Sequence, residues 1–178
     1  MNLLFALLGE HGPLHRQLEV LRLTAPRYSD SELRAATFAL AEAIESHAAL
    51  EDELLFAPLA ASGAMPPGPV EAMRAEHRQI ETLLGQLLAP AGEPGRPDPQ
   101  RTALRLVETV RHHFAHEENV LFPLAAGTLE PARLEALGAL WAERRGVDLD
   151  RFDSATAPAR LAAEPRAETS RLTPGDRA

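Results

Sequence analysis

An internal repeat with an offset of 66 residues is the feature of this 178-residue chain that most restricts its fold. One copy contains Glu10-His11 and His47-x-x-x-Glu51, and the other contains Glu76-His77 and His113-x-x-x-Glu117. The apolar residues around them keep the same offset: Leu14 and Ile80, Leu18 and Leu84, Leu21 and Leu87, Leu40 and Leu106, Ile44 and Val110, Leu55 and Leu121, Phe56 and Phe122. Because such a repeat builds one supersecondary unit twice, it predicts two helical hairpins related by an approximate two-fold axis.

The spacing of apolar residues predicts an all-α fold. Four long stripes with helical period are followed by a shorter one over residues 131–145, and segments rich in Gly and Pro at 62–69 and 90–99 separate them. We assign residues 1–145 to an up-down-up-down four-helix bundle with a short fifth helix as a cap. Val120 is predicted to face inward on the fourth helix, and the fifth helix carries Leu134, Leu137, Leu140 and Trp141. The Ala-, Pro-, Arg- and Glu-rich segment 146–178 is predicted to be a loosely ordered tail.

The composition excludes several classes of function. The chain has no cysteine, which rules out thiolate metal sites and thiol nucleophiles. Its formal net charge of −8 argues against nucleic-acid partners, since phosphate binding requires a basic face. The apolar stretch at residues 2–8 lacks the basic start of a signal peptide, and no other stretch approaches the ~20 apolar residues of a membrane span. We therefore predict a cytoplasmic protein without a membrane partner.

The repeated His and Glu residues predict a two-metal site in the middle of the bundle. Residues four apart share one face of a helix, so each His-x-x-x-Glu pair points inward, and two further His face them from the other helices. The predicted metal ligands are His11, His47, Glu51, His77, His113 and Glu117. Burying these groups without a cation would cost several kcal/mol each. Imidazole and carboxylate ligands without sulfur suit iron, manganese or zinc.

Counting coordination positions predicts room for a small ligand. Two six-coordinate ions have about twelve positions, of which four His and two bridging Glu fill about eight. An oxide or hydroxide bridge fills about two more, so about two stay open. Open positions in an apolar core suit O2, NO or peroxide better than a polar metabolite.

Three segments give the chain a resemblance to the hemerythrin-like HHE cation-binding family, over about residues 1–145. They are LGEH at 8–11, HAALEDELLF at 47–56 and HFAHEENVLFP at 113–123. The resemblance implies a four-helix bundle with a non-haem di-iron centre held by the same six side chains. The oxygen-carrying members of invertebrates have a paired His on the third helix and an H-x-x-x-x-D pattern on the fourth. At the first of these places this chain has His77-x-x-x-Glu81.

Polar neighbours of the six residues leave alternatives open. His15 and its repeat partner Glu81 are candidates for additional metal ligands or for hydrogen bonds to the ligands. Four carboxylates in the repeat are either solvated or orient the ligand histidines through their second ring nitrogen; these are Glu10, Asp52, Glu76 and Glu118.

Other neighbours are assigned to packing or to the surface. His112 and His116 form an alternative ligand pair, which is disfavoured because the repeat aligns His113 with His47. Three aromatic residues near the site are predicted to pack in the core, namely Phe56, Phe122 and Trp141, with the two Phe as alternative lining for the route of a diatomic ligand.

Three classes of function fit the predicted site. The favoured one is a binding protein with two iron ions, rather than manganese or zinc, that takes up O2, NO or peroxide for sensing, transfer or scavenging, with no catalytic residue assigned. The second is an oxidase, a peroxidase or a nitrosative-damage repair factor that uses the same centre. The third is a module for handling or storing iron or zinc. A redox or signalling protein is the expected partner, and the chain is expected to be a monomer or a homodimer.

Overall fold

The computed structural model describes residues 1–64 and 68–149, and every regular element in these two ranges is helical. The α-helices are α1 Leu3–Thr24, α2 Asp30–Glu51, α3 Ala57–Ser62, α4 Gly68–Leu88, α5 Pro99–His116, α6 Phe122–Thr128 and α7 Pro131–Arg145. A π-helical turn, Asp52–Phe56, continues α2 into α3, and a second, Glu117–Leu121, continues α5 into α6. For the described residues, the all-α prediction is confirmed.

Four long helices form the bundle. Helix α1 packs against α2 and α5, and α4 packs against the same two helices. Hydrogen bonds at the helix starts fix where two of them begin: Ser29 and Glu32 form a reciprocal capping box on α2, and Asp98 accepts from the backbone N–H of Arg101 on α5. Each long helix therefore packs against the next one in the chain, which gives the predicted up-down-up-down bundle.

Two apolar clusters fill the bundle on either side of a polar layer. On α1, Leu7 belongs to one cluster and Leu14 to the other, and His11 lies between them. The other three long helices repeat this order, with a buried polar side chain between two apolar segments. The core therefore places polar groups at mid-height, far from solvent at either end.

The second π-turn corrects one predicted position. Val120 is 41% exposed, whereas Leu121 is buried. A π-helical turn contains an extra residue compared with an α-helical one, so the next inward position after Glu117 moves from 120 to 121. The prediction that Val120 faces the core was therefore wrong.

Helix α7 lies against α1, where Gly138 allows a close approach. A Cβ atom at this position would clash with backbone atoms of Met1 and Leu3. Leu134 faces the core, whereas Leu140 is 41% exposed. These two leucines are six positions apart in the sequence, which places them about 120° apart around the helix.

Contacts group Met1–Val147 into one compact unit. The predicted tail, 146–178, lies outside the described residues from position 150 onward. Among the helices that the structure describes, none is long and apolar enough to cross a membrane.

Candidate metal centre

Four histidines and two glutamates meet in the polar layer of the bundle. They are His11 on α1, His47 and Glu51 on α2, His77 on α4, His113 on α5 and Glu117 at the start of the second π-turn. All six side chains are buried. These are the six residues that the repeat predicted as ligands, and the fold brings them together from four helices.

The six side chains form two groups that share both glutamates. Position 1 consists of His11, His47, Glu51 and Glu117, and position 2 consists of Glu51, His77, His113 and Glu117. Within each group the candidate ligand atoms lie within 4.8 Å of one another. Each position therefore has four nitrogen and oxygen donors around one point.

Each glutamate turns one oxygen toward each position. Glu51 Oε1 lies 3.1 Å from His47 Nε2, and its Oε2 lies 3.4 Å from His77 Nε2. Glu117 Oε2 lies 3.3 Å from His11 Nε2, and its Oε1 lies 3.4 Å from His113 Nε2. A carboxylate placed in this way can bridge two cations.

The donor atoms at the centre lack the partners that buried polar atoms normally have. Both oxygens of each glutamate, and Nε2 of His11 and His47, make no hydrogen bond. Such atoms are costly unless a cation satisfies them. The Nε2 atoms of His77 and His113 lie 3.1 Å apart, close to the ~3 Å expected for two adjacent ligands bound ~2.1 Å from one ion. The residues present thus fit a pair of metal ions.

Three of the four histidines donate a hydrogen bond from Nδ1 to a carboxylate. The bonds run from His11 to Glu118 and from His47 to Glu10, both at 2.8 Å, and from His113 to Glu76 at 2.9 Å. Such a bond fixes the ring orientation and leaves Nε2 free to bind a metal. Of the two alternatives for these carboxylates, the structure therefore favours orientation of the histidines.

The electrostatics of the metal-free centre depend on burial and on the two glutamates. Burial raises the pKa of Glu117, and the negative charge of Glu51 raises it further. Burial alone would lower the pKa of His47, but Glu51 and Glu10 outweigh it and raise the pKa to about 9. Burial lowers the pKa of His113 to about 4. Incoming cations must therefore displace protons from His47 and Glu117.

Glu10 connects the centre to α7. Its carboxylate accepts hydrogen bonds from His47, from Trp141 Nε1 at 2.6 Å, and from Nε and an NH2 group of Arg145 at 2.7 and 2.8 Å. Burial raises the pKa of Glu10, but the bonds from His47 and Arg145 lower it to about 2. No sequence pattern predicts this contact, since Trp141 and Arg145 lie outside the repeat.

The remaining candidates lie outside both groups. His15 is half-buried, with its ring edge-on to Phe114 at 5.2 Å between centroids, and Glu81 is exposed. His112 is also exposed, and its ring lies 6.2 Å from that of His116. The structure thus does not bring these side chains into the two groups that can hold an ion.

A cavity of about 190 Å³ lies beside position 2. Both histidines of position 2, His77 and His113, line it, as does His47 of position 1, and its other lining includes apolar side chains such as Ile44 and Ile80. A volume of this size admits a few small molecules and excludes a large metabolite.

Buried His and Glu groups in a four-helix bundle define the chain as a helical metal-binding protein. The family model for the hemerythrin HHE cation binding domain matches residues 2–125. The chain therefore belongs to the hemerythrin HHE cation-binding family, and the resemblance inferred from the three sequence segments is confirmed. No curated protein and no solved structure gives a match.

The contact between α7 and Glu10 predicts unequal effects for two adjacent arginines. Arg145→Gln removes charged hydrogen bonds to Glu10, and we expect it to lower the free energy of unfolding by about 1–2 kcal/mol. Arg144→Gln removes only an exposed ion pair with Glu53, so its effect on the free energy of unfolding should be clearly smaller. Urea denaturation monitored by circular dichroism compares the two variants. Equal effects would show that Arg145 contributes nothing beyond a surface ion pair.

Two adjacent histidines on α5 test which face of this helix supplies the metal ligands. His113→Ala should reduce metal content from two ions per chain to about one, because it removes a donor from position 2. His112→Ala should leave the metal content nearly unchanged, because this side chain is exposed. Metal analysis after gel filtration measures both. Loss of metal from the His112 variant alone would favour the alternative pair of His112 and His116.

Proposed function

We propose that this chain is a non-haem di-iron protein that binds O2 or NO for sensing, transfer or scavenging. The observation that carries the proposal is the pair of positions that share Glu51 and Glu117, with each carboxylate turned toward both. Family membership supports a bound metal, and the nitrogen and oxygen donors suit iron. Position 1 and position 2 would each take one ion.

The bound pair would supply Lewis acidity and one-electron redox steps toward a diatomic ligand. The protein's own residues prepare the site for it. Glu10, Glu76 and Glu118 hold three histidines in orientation, and the apolar clusters above and below close the two ends of the layer to water. The cavity beside His77 and His113 gives a small neutral molecule a place next to the centre.

A second candidate is an oxidase or peroxidase, and one contact favours it. Glu76 accepts hydrogen bonds from His113 and from His116, both at 2.9 Å. The His116 side chain is 31% exposed, so Glu76 connects a solvent-accessible imidazole to a residue of position 2. Such a chain of groups can pass protons, which an oxidase requires and a reversible binding protein does not.

An optical spectrum of ferrous-loaded protein tests the proposal. It is recorded without oxygen, then in air, and then after the air is removed, with a parallel titration of NO. Ferric absorption bands that appear in air and vanish on degassing are the result expected for a reversible O2-binding protein. Bands that persist until a reductant is added favour the oxidase, and NO bands without O2 bands favour NO sensing. Absence of any response in protein that contains two ions overturns ligand binding and favours metal storage or handling.

A further inference from the structure

The repeat gives position 1 and position 2 matching ligands, but the residues around His11 and His77 differ. These two histidines are repeat partners, so an exact two-fold axis would give them the same neighbours. Three pairs of repeat partners differ in residue type. Glu118, Phe114 and His15 lie near His11, and their repeat partners are Asp52, Ala48 and Glu81, respectively. The first two leave His77 with less support than His11, and the third affects access to the cavity beside His77.

The first difference is the length of a carboxylate side chain. His11 donates from Nδ1 to Glu118 at 2.8 Å. The corresponding distance from His77 to Asp52 is 3.8 Å, and Nδ1 of His77 has no hydrogen-bond partner. Asp52 is one methylene shorter than Glu118, and it also accepts from Arg74 Nε at 3.1 Å. His77 thus lacks the bond that orients each of the other three histidines.

The second difference is an aromatic ring. Phe114 stacks on His11 with 4.1 Å between ring centroids and an angle of 13°. Its repeat partner is Ala48, whose methyl group cannot fill the same volume, and the cavity of about 190 Å³ is lined by Ala48 and His77. The ring of His77 keeps a stacked contact with Phe56 at 5.3 Å. One histidine is therefore packed by Phe114, while the other borders open space.

The third difference concerns access to the cavity. Glu81 lines the cavity and is exposed, whereas His15 rests edge-on against Phe114. An exposed carboxylate at the cavity wall connects the space beside His77 to solvent. Both histidines of position 2 line the cavity, whereas position 1 contributes only His47, so water and small chelators reach position 2 more readily.

We propose that position 2 holds its ion more weakly and exchanges it faster than position 1, so that the chain passes through a one-ion state with position 1 filled. The proposal rests on the two-metal part of the proposed function and not on the identity of the diatomic ligand. Hydrogen-bonded carboxylates behind metal-binding histidines typically change metal affinity by about 10–100-fold. We expect the two positions to differ in affinity by this factor.

Competition with a chelator whose ferrous complex absorbs light tests the proposal, with two ferrous ions loaded per chain in the absence of oxygen. The wild-type chain should lose its ions in two separate steps of one ion each. Asp52→Glu should strengthen the weak step by about tenfold or more, because the longer side chain can reach Nδ1 of His77. Ala48→Phe should slow the release of the same ion by filling the cavity.

Glu118→Asp is the matched control, since it gives His11 the shorter carboxylate. It should weaken the tight step and leave the weak step in place. Asp52 and Glu118 are both partly exposed, so circular dichroism is expected to show folded chains for both variants. Release of both ions in one step, or an unchanged weak step in Asp52→Glu, would overturn the proposal.

The chelator experiment counts ions and does not depend on the binding of a gas. Two separated steps in a chain whose spectrum does not respond to O2 or NO would support unequal positions and overturn the proposed ligand binding. A single step in a chain that responds to O2 would overturn unequal positions and leave ligand binding in place. A chain that takes up no ions would overturn both.

Discussion

Replacing Glu51 or Glu117 with alanine is expected to abolish the binding of two irons per chain. Each carboxylate faces both positions, so a single substitution removes a donor from both. Metal content measured after removal of loosely bound iron should fall from two ions to less than one. Circular dichroism should still show an α-helical chain, but with lower thermal stability after exposure to iron, because the stabilisation by bound metal is lost.

Two substitutions serve as controls for the alanine variants. Glu51→Gln keeps the volume of the side chain and removes its charge, so a loss of iron in this variant excludes the new cavity as the cause. Glu81→Ala removes an exposed carboxylate that lies outside both groups, and it should retain two irons. Retention of two irons in both Glu51→Ala and Glu117→Ala would remove these residues from the bridging role. Loss of iron in Glu81→Ala would make Glu81 a ligand.

Removing the metal is expected to lower the melting temperature of the wild-type chain. A ligand present at a thousandfold excess over its dissociation constant stabilises a protein by about 4 kcal/mol. For a domain of this size, a stabilisation of that magnitude by one bound ion raises the melting temperature by about 10 °C. Calorimetry of loaded protein before and after chelation, followed by reloading, measures the difference. Equal melting temperatures with two ions bound would contradict the link between the centre and folding.

The difference in melting temperature between loaded and metal-free protein should depend on pH. The pKa of His47 is raised from its ordinary 6.5 to about 9, so its stabilisation of the metal-free fold is complete below about pH 6.5 and is lost as the pH rises through about 9. The raised pKa of Glu117 acts in the same direction. Ions compete less with protons as the pH rises, so the melting difference between loaded and metal-free protein should widen between pH 6.5 and 9.

Glu117→Gln provides the control for this pH dependence. The amide mimics the protonated carboxyl and cannot titrate, so the melting temperature of the metal-free variant should fall less steeply with rising pH than that of the wild type. An identical slope in both chains would show that Glu117 does not hold a proton in the metal-free centre.

The repeat made the bundle and the gathering of six side chains predictable. Paired helices with matched apolar stripes can bury those stripes in few ways, and polar residues at the same height on four helices must then meet. The fold class follows from this pattern and is confirmed, and the family, which was inferred from three sequence segments, is confirmed as well. That His11, His47, Glu51, His77, His113 and Glu117 bind metal stays a prediction, although the fold places their donor atoms together.

Features outside the helical period could not be read from the sequence. The π-turn after Glu117 has no residue signature of its own, and it moved the inward position from Val120 to Leu121. The contact of Trp141 and Arg145 with Glu10 depends on how α7 docks against α1. Docking of this kind is set by tertiary packing, which no local pattern encodes.

The sharing of Glu51 and Glu117 between the two positions has a mechanical consequence. Glu51 belongs to the first hairpin, α1 to α3, and Glu117 to the second, α4 to α6. Ions at the two positions would act as a removable cross-link that closes a loop of roughly 100 residues between His11 and Glu117. The hairpins could then separate only after the ions leave. Resistance of the loaded chain to pulling or to proteases would therefore follow the rate of metal release rather than the strength of helix packing.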